Sequence, residues 1–493
     1  MRGVVRFLLN AQTVSLATVD PTATVLDWLR SEKALIGAKE GCAEGDCGAC
    51  TILVGRLHEG ELVYEAINAC MRFVATLDAC HVVTIEHLKA RGGALHPVQR
   101  AMVEMHGSQC GFCTPGFVMS LMALWLSHDR APSRDRIEDA LAGNLCRCTG
   151  YGPIVAALGR AYELASPQDD PFARDRAGVA ARLAALDDGQ EFCIGQGERR
   201  LFSPANLAQL ATLYLKYPQA TLVAGATDFG IAVNKEMQRP QTILWLGRVA
   251  ELDAVSDSAG QVVLGAGVSL TRARQALGAL HPEIAEMLRR FGGEQVRNAG
   301  TIGGSIANGS PIGDLAPVLI ALGATLNLRC GDQRRRLAMQ DFFLEYKRQD
   351  RRASEFVESI EAPKLLAGAL FHVSKISKRF DEDISALLGA FHLSRDADGR
   401  IQEARLAFGG MAGTPKRAAW AEAALIGRQW THESSEAAAR ALARDFTPLD
   451  DWRASAAYRS KVAANLIRRF YLETGAGKTS LRVGGSLRAS LDA

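Results

Sequence analysis

Nine of the eleven cysteines fall within the first 148 residues, in tight groups, and this clustering constrains the chain more than any other feature. Cys110 and Cys113 form one close pair, within Gln109-Cys110-Gly111-Phe112-Cys113-Thr114-Pro115-Gly116. Cys146 and Cys148 form another, within Asn144-Leu145-Cys146-Arg147-Cys148-Thr149-Gly150-Tyr151. Pairs this close do not make a disulfide framework, but two of them can converge four thiolates on one metal centre. Thiolates favour zinc, copper(I) or iron–sulfur clusters, and on spacing alone zinc remains open for this site.

An earlier group narrows the chemistry. Gly41-Cys42-Ala43-Glu44-Gly45-Asp46-Cys47-Gly48-Ala49-Cys50 has the four-then-two spacing of a plant-type ferredoxin, with Cys70 as the distant fourth ligand. Its glycines let a tight loop wrap a two-iron, two-sulfide cluster and turn backbone N–H groups towards it. A zinc loop would use two well-separated pairs instead. Cys80 has no partner at ligand spacing and reads as a buried core thiol; Cys193 and Cys330 stand alone.

At 493 residues the chain is long enough for three domains at roughly 100 to 200 residues each. Apolar residues make up 48% and charged ones 23%, with a formal charge of +3. That balance suits a soluble globular protein and requires neither nucleic acid nor a membrane surface as partner. The N-terminus, Met1–Asn10, has too short an apolar run for a signal peptide, and no run approaches the roughly 18 residues of a membrane span. Clustered cysteines without an export signal point to a cytoplasmic metal-binding protein.

Local patterns predict a hairpin from Gly3–Asn10 and Val14–Val19, then a short helix capped by Thr22 or Thr24 with Val25, Leu26 and Leu29 on its apolar face. Helices are predicted from His96 to near Gly107, from the Thr114-Pro115 start to Ser127, and from Pro153 to Leu164. Residues 166–192 read as a solvated linker, although Ala177–Leu186 can form a helix. A helix over Asn206–Tyr217 precedes a glycine-rich strand and turn, Thr221–Gly230. A second such run covers Phe291–Asn308, followed by Ser310–Asp314. Neither fits the Rossmann spacing, so by themselves they signify a nucleotide site or tight turns. Strands at Leu387–Leu393 and Ala404–Phe408 and helices at Ser434–Asp445 and Trp452–Leu472 complete the chain. Gly475-Ala476-Gly477-Lys478-Thr479 ends like a phosphate-binding loop, but it lacks the first glycine and follows a helix.

The stretches Cys42–Cys70, Cys110–Gly116 and Asn144–Tyr151 closely resemble the iron–sulfur portion of the molybdenum hydroxylases, the family of xanthine dehydrogenase and aldehyde oxidase. The glycine-rich runs resemble the flavin domain of the same family. The resemblance implies a multidomain α+β protein. Its parts are a β-grasp ferredoxin-like [2Fe-2S] domain (1–90), an all-α helical [2Fe-2S] domain (91–165), a linker (166–192), a vanillyl-alcohol-oxidase-type FAD-binding α+β domain (193–370) and a small C-terminal α/β domain (371–493).

It further implies two [2Fe-2S] clusters, one on Cys42, Cys47, Cys50 and Cys70 and one on Cys110, Cys113, Cys146 and Cys148. Gln109 would contact the pterin of a molybdenum cofactor held elsewhere. Leu222, Val223, Ala224, Gly225, Ala226, Thr227, Asp228 and Phe229, with Thr301, Ile302, Gly303, Gly304 and Ser305, would line the FAD pyrophosphate and ribityl region. Asp314 would bind the flavin nucleotide and Phe291 would sit beside the isoalloxazine ring. Phe342-Phe343 and Tyr346-Lys347 match the family near where a nicotinamide docks, though an aromatic pair is more often core. The charged run Lys378–Asp383 corresponds to a loop that approaches the flavin.

A chain that joins both clusters to the flavin domain resembles the small subunit of two-subunit bacterial xanthine dehydrogenases. It would have no catalytic residue of its own. Electrons from purine hydroxylation (hypoxanthine and xanthine to urate) on a large molybdenum subunit would pass through the second cluster, then the first, to FAD and NAD, in an α2β2 heterotetramer. The alternatives are the same role in an aldehyde- or N-heterocycle-oxidising relative, or a zinc-stabilised redox regulator that is no enzyme.

Overall fold

The computed structural model describes residues 1–90 and 92–475. It divides into two compact units: Met1–Ala250 with Gly292–Gly300, and Glu251–Phe291 with the chain from Thr301 onward.

In the first unit, five strands are ordered Gln12–Leu16, Val5–Leu9, His81–Val83, Thr51–His58, Glu61–Asn68. Val5–Leu9 pairs antiparallel with its hairpin partner and parallel with His81–Val83. The helix Val25–Ser31 begins at Thr24, whose hydroxyl accepts the Asp27 N–H at 3.1 Å, and buries Val25, Leu26, Trp28 and Leu29. This is the β-grasp arrangement. Cys80 lies in its core, as expected for an unpaired apolar thiol.

Helices Pro97–Glu104, Thr114–Ser127, Arg134–Leu141 and Gly152–Leu164 follow. His96 caps the first through its side chain, and Gln99 returns the bond to the His96 backbone. Thr114–Ser127 is buried without a break from Gly116 to Trp125, so it is apolar on all sides and runs through the middle of the domain. Its N-cap is Cys113, one residue earlier than predicted. Arg134–Leu141 has only a short apolar face and is not evident from the sequence pattern.

Residues 166–192 are largely exposed or half-buried but carry regular structure. Helices Pro171–Arg174 and Arg176–Leu186 lie in it, and Val179 and Leu183 join the core of the helical domain. Asp170, whose charge and flanking proline suggest solvent, is buried; Trp125 Nε1 donates to it at 2.8 Å and His96 Nε2 pairs with it at 2.6 Å. Interior donors replace the lost water, so the charge is retained.

The strands Phe192–Gln196, Arg199–Ser203, Thr242–Trp245 and Thr221–Val223 form a four-stranded sheet. Phe192, Leu201, Val223 and Trp245 pack in one continuous cluster with Phe7, Val25, Cys50 and Phe73 of the β-grasp domain. This part of the flavin-domain sequence therefore has no separate core.

The second unit contains a five-stranded sheet, ordered Val255–Asp257, Gln261–Gly265, Phe356–Pro363, Thr325–Cys330, Gln333–Ala338, together with helices that include Leu270–Gly278, Pro282–Arg289 and Leu315–Leu322. Phe342 and Phe343 are buried here and belong to its interior, whereas Tyr346 is exposed. A second, four-stranded antiparallel sheet carries Leu370–Ile376, Leu387–Arg395, Ile401–Gly409 and Lys416–Arg417. Helices His432–Asp445 and Ala456–Thr474 share its core of Phe391, Phe408, Leu442 and Phe470. Among the described residues, no helix is long and apolar enough to cross a membrane. Positions 476–479 of the phosphate-loop look-alike lie outside the described residues.

Candidate cluster and flavin sites

The structure gathers each set of four cysteines. In the β-grasp domain, Cys50 Sγ and Cys70 Sγ lie 3.3 Å apart, and Cys42 contacts Cys47 and Cys70. The Glu44 N–H points at Cys42 Sγ from 3.4 Å, and the backbone of Ala49 and of Ala69 reaches Cys47 and Cys50. Asn68 Nδ2 holds the loop through the Gly45 carbonyl at 2.8 Å. Gly48 has φ +67°, a left-handed conformation that would strain any residue with a Cβ.

The thiols settle each other's protons. Contacts with Cys47 and Cys70 hold Cys42 below the ordinary thiol range, and Cys70 does the same for Cys50. The donors, Cys47 and Cys70, are pushed up in turn. A site that already shares protons among crowded sulfurs suits cations that replace those protons.

The second set spans two loops. Cys113 meets Cys146, and Cys110 meets Cys148. Burial and then contact with Cys146 push Cys113 up to about 12. Cys146 is lowered despite the opposing effect of burial, through the Thr149 hydroxyl 3.2 Å from its Sγ and nearby N–H groups. The Tyr151 hydroxyl accepts the Cys146 N–H at 3.0 Å. In the first set the sulfurs form a chain, Cys47 to Cys42 to Cys70 to Cys50, and in the second they meet in two pairs; each gathers the four thiolates that a two-iron, two-sulfide cluster takes. Cys110 and Cys148 are exposed, together with Gln109, Phe112, Leu145 and Tyr151; Cys50 and Cys70 are buried.

The two loops touch. The Leu145 N–H donates to the Cys47 carbonyl at 3.0 Å, and Asn144 Nδ2 donates to the Gly48 carbonyl at 3.1 Å. On the other side, Asn234, from the helix Phe229–Lys235, donates to the Cys70 carbonyl at 2.8 Å and the Ala43 carbonyl at 3.0 Å. Asn144 lies inside a stretch singled out for its cysteines, and its own side-chain role is not apparent there. Asn234 has no sequence signal.

The residues expected at the flavin divide between the units. In the first, Leu222 and Val223 end a strand, Ala226 takes φ +61°, and Asp228 caps the helix that starts at Phe229. A Cβ on Gly225 would lie 1.9 Å from the Ala299 carbonyl oxygen, so this glycine serves close backbone packing in its own right. In the second unit, Thr301 caps the helix Ile302–Asn308 and accepts the Gly304 N–H at 3.1 Å. The N–H groups of Ile302, Gly303 and Ser305 already donate to the carbonyls of Val268, Ala266 and Thr301. Together with the Gly304 N–H on the Thr301 hydroxyl, these donors are engaged within the fold by the helix cap and by the segment that follows the strand Gln261–Gly265. Phe291 is half-buried. Both oxygens of the buried Asp314 are engaged, one by Lys375 Nζ and the other by Ser385 Oγ at 2.5 Å.

Four family models match the chain: the 2Fe-2S iron-sulfur cluster binding domain at residues 7–75 and the [2Fe-2S] binding domain at 84–159, the FAD binding domain in molybdopterin dehydrogenase at 196–365 and the CO dehydrogenase flavoprotein C-terminal domain at 372–474. Xanthine dehydrogenase of Emericella nidulans is 32% identical over 95% of this chain and 38% of its own length. Xanthine dehydrogenase/oxidase of Gallus gallus is 31% identical over 89% of this chain and 37% of its own. The chain thus spans well under half the length of these relatives. A solved carbon monoxide dehydrogenase from Hydrogenophaga pseudoflava, lacking the Mo-pyranopterin moiety of its cofactor, matches 55% of this chain and 96% of its own, with 28% identity and a TM-score of 0.52. Quinoline 2-oxidoreductase from Pseudomonas putida 86 shares the fold at 24% identity and a TM-score of 0.51.

Proposed function

Because the chain belongs to the molybdenum hydroxylase family and carries two [2Fe-2S] domains and an FAD-binding domain, we propose that it is the electron-transfer subunit of a xanthine dehydrogenase. A separate large molybdenum subunit would hydroxylate the purine, and this chain would deliver the electrons to NAD, in a complex of two small and two large chains. When bound, the clusters supply one-electron carriers, and the flavin joins one-electron to two-electron chemistry.

The observation that carries this reading is the order of contacts in the first unit. Cys110 and Cys148 face solvent, where a partner's cofactor can approach, with Gln109 beside them. Leu145, next to Cys146, is bonded to the Cys47 carbonyl. Asn234 then ties the Cys42–Cys70 loop to the helix that continues from Leu222–Phe229. The cysteines would hold the clusters, and the backbone bonds between their loops shorten the path from one to the next. Leu222–Phe229, Phe291, Thr301–Ser305 and Asp314 would hold FAD, the last by orienting Lys375 and Ser385.

Likeness to a carbon monoxide dehydrogenase keeps a second reading open: the same relay serving a partner that oxidises another substrate, such as an aldehyde or an aromatic N-heterocycle. The chain purified with its partner should contain two distinct cluster signals and about one FAD per chain, and should reduce NAD when xanthine is added. Xanthine inactivity with good aldehyde or heterocycle turnover would favour the second reading. A colourless, zinc-containing protein would end both.

A further inference from the structure

The helix Glu294–Ala299 lies between segments read for the flavin, yet it is packed within the first unit. Its side chains reach both cysteine-bearing domains. Glu294 takes a two-pronged contact from Arg136 at 2.7 and 3.1 Å, and Asn298 Nδ2 donates to the Ala66 carbonyl at 3.0 Å. Between them Gln295, only 1% exposed, places its Nε2 at 2.9 Å from Asn144 Oδ1, 3.1 Å from Ser120 Oγ and 3.3 Å from Thr51 Oγ1. Its Oε1 is buried with no hydrogen-bond partner. An apolar side chain would avoid that cost, so the retained amide points to a specific task for its donor end.

That task is legible in what the network does to Asn144. Gln295 Nε2 and Ser120 Oγ both donate to Asn144 Oδ1, which turns Asn144 Nδ2 towards the Gly48 carbonyl. Asn144 is two residues before Cys146, and Gly48 directly follows Cys47. We propose that Gln295 is a positioning residue for electron transfer: through Asn144 it locks the Cys146 loop onto the Cys47 loop and so sets the spacing of the two clusters. This rests on the reading of both cysteine sets as electron-carrying clusters. A residue of the flavin-domain sequence thereby holds the two iron–sulfur loops in register.

The test uses the full chain with its partner, as Gln295→Leu and Gln295→Met. Methionine keeps the length of the side chain but has no N–H or O–H to donate to Asn144 Oδ1. Iron and FAD content, low-temperature electron paramagnetic resonance of the reduced protein and the rate of electron arrival at the flavin are measured together. Both variants should keep wild-type iron and FAD, show altered magnetic splitting between the clusters, and pass electrons roughly tenfold more slowly, as removal of outer-shell partners does at metal sites. Wild-type splitting and rate in both variants would overturn the proposal, as would a normal methionine variant beside a defective leucine one, which would mean packing alone. Should either variant fail to fold, Ser120→Ala removes one donor to Asn144 and must still change the splitting; an unchanged splitting there also overturns it. Wild-type protein without two paramagnetic clusters would instead sink the electron-transfer reading beneath it.

Discussion

The two cysteine sets have the same donor chemistry, and each has two half-buried thiols, but their remaining thiols lie in opposite surroundings. Cys50 and Cys70 are 2% exposed and sit in an apolar core shared with the sheet that begins the flavin domain. Cys110 and Cys148 lie at the surface, on loops that precede the helices Thr114–Ser127 and Gly152–Leu164. The difference teaches that one site has two thiols built into a core, whereas the other is attached to its domain's core only through the half-buried Cys113 and Cys146. A relay needs both kinds: an end that partners can reach, and an interior end insulated from water and tied to the next carrier.

The largest effect should come from swapping one ligand at each site. Cys50→Ser is expected to abolish one cluster signal, lower the melting temperature and reduce bound FAD. A hydroxyl left unpaired in that core costs about 1–3 kcal/mol, in addition to the lost binding energy of the cluster. Cys110→Ser should abolish the other signal and leave melting temperature and FAD close to wild type. Equal losses of stability in the two variants would erase the distinction between a structural and an attached site.

Much of this was legible where the relevant physics is local. The helix after Thr22 or Thr24 and the helix over Asn206–Tyr217 each depend on a few neighbouring residues, and the structure has both, with Thr24 and Asn206 as their caps. Contacts between distant residues are a different matter. Gln295 meets Thr51 across 244 positions, and its place in a glycine-rich run suggested a nucleotide contact. The acidic, proline-containing segment at 166–171 reads as solvated because its interior partners, His96 and Trp125, lie far away in sequence. Gly225 illustrates an ambiguity of another kind: a glycine needed beside a cofactor and one needed beside the Ala299 backbone look alike in a sequence.

The attached site can be probed through the domain beneath it. Burial alone would raise the Asp170 carboxyl, but pairing with His96, the Phe172 N–H and the Trp125 indole N–H lower it below its ordinary 3.8. A depressed value in the folded state means that the stabilisation is present above 3.8 and is lost as pH falls through the lower, folded value. Melting temperature followed over roughly pH 5 to pH 2 should therefore fall more steeply for wild type than for Asp170→Asn. The variant should be less stable by about 1–3 kcal/mol at neutral pH, where it has lost a charge-assisted acceptor. Parallel curves would show that this carboxylate does not anchor the helical domain.

The smallest effect is expected at Tyr151, where only the hydroxyl need be removed. It accepts the Cys146 N–H at 3.0 Å, and its ring meets Phe117 edge-on at 6.2 Å between centroids. Tyr151→Phe keeps the ring contact and frees an N–H that lies near solvent, so global stability should fall by no more than about 0.5–1.5 kcal/mol. The cluster should feel it more than the fold does, because the lost bond orients the backbone of a ligand and outer-shell contacts tune a metal site. Electron paramagnetic resonance should show a shifted second-cluster signal beside an unchanged first. A shift in the buried cluster as well would mean that the Leu145 to Cys47 bond transmits local strain between the loops, and the two sites would then behave as one coupled unit.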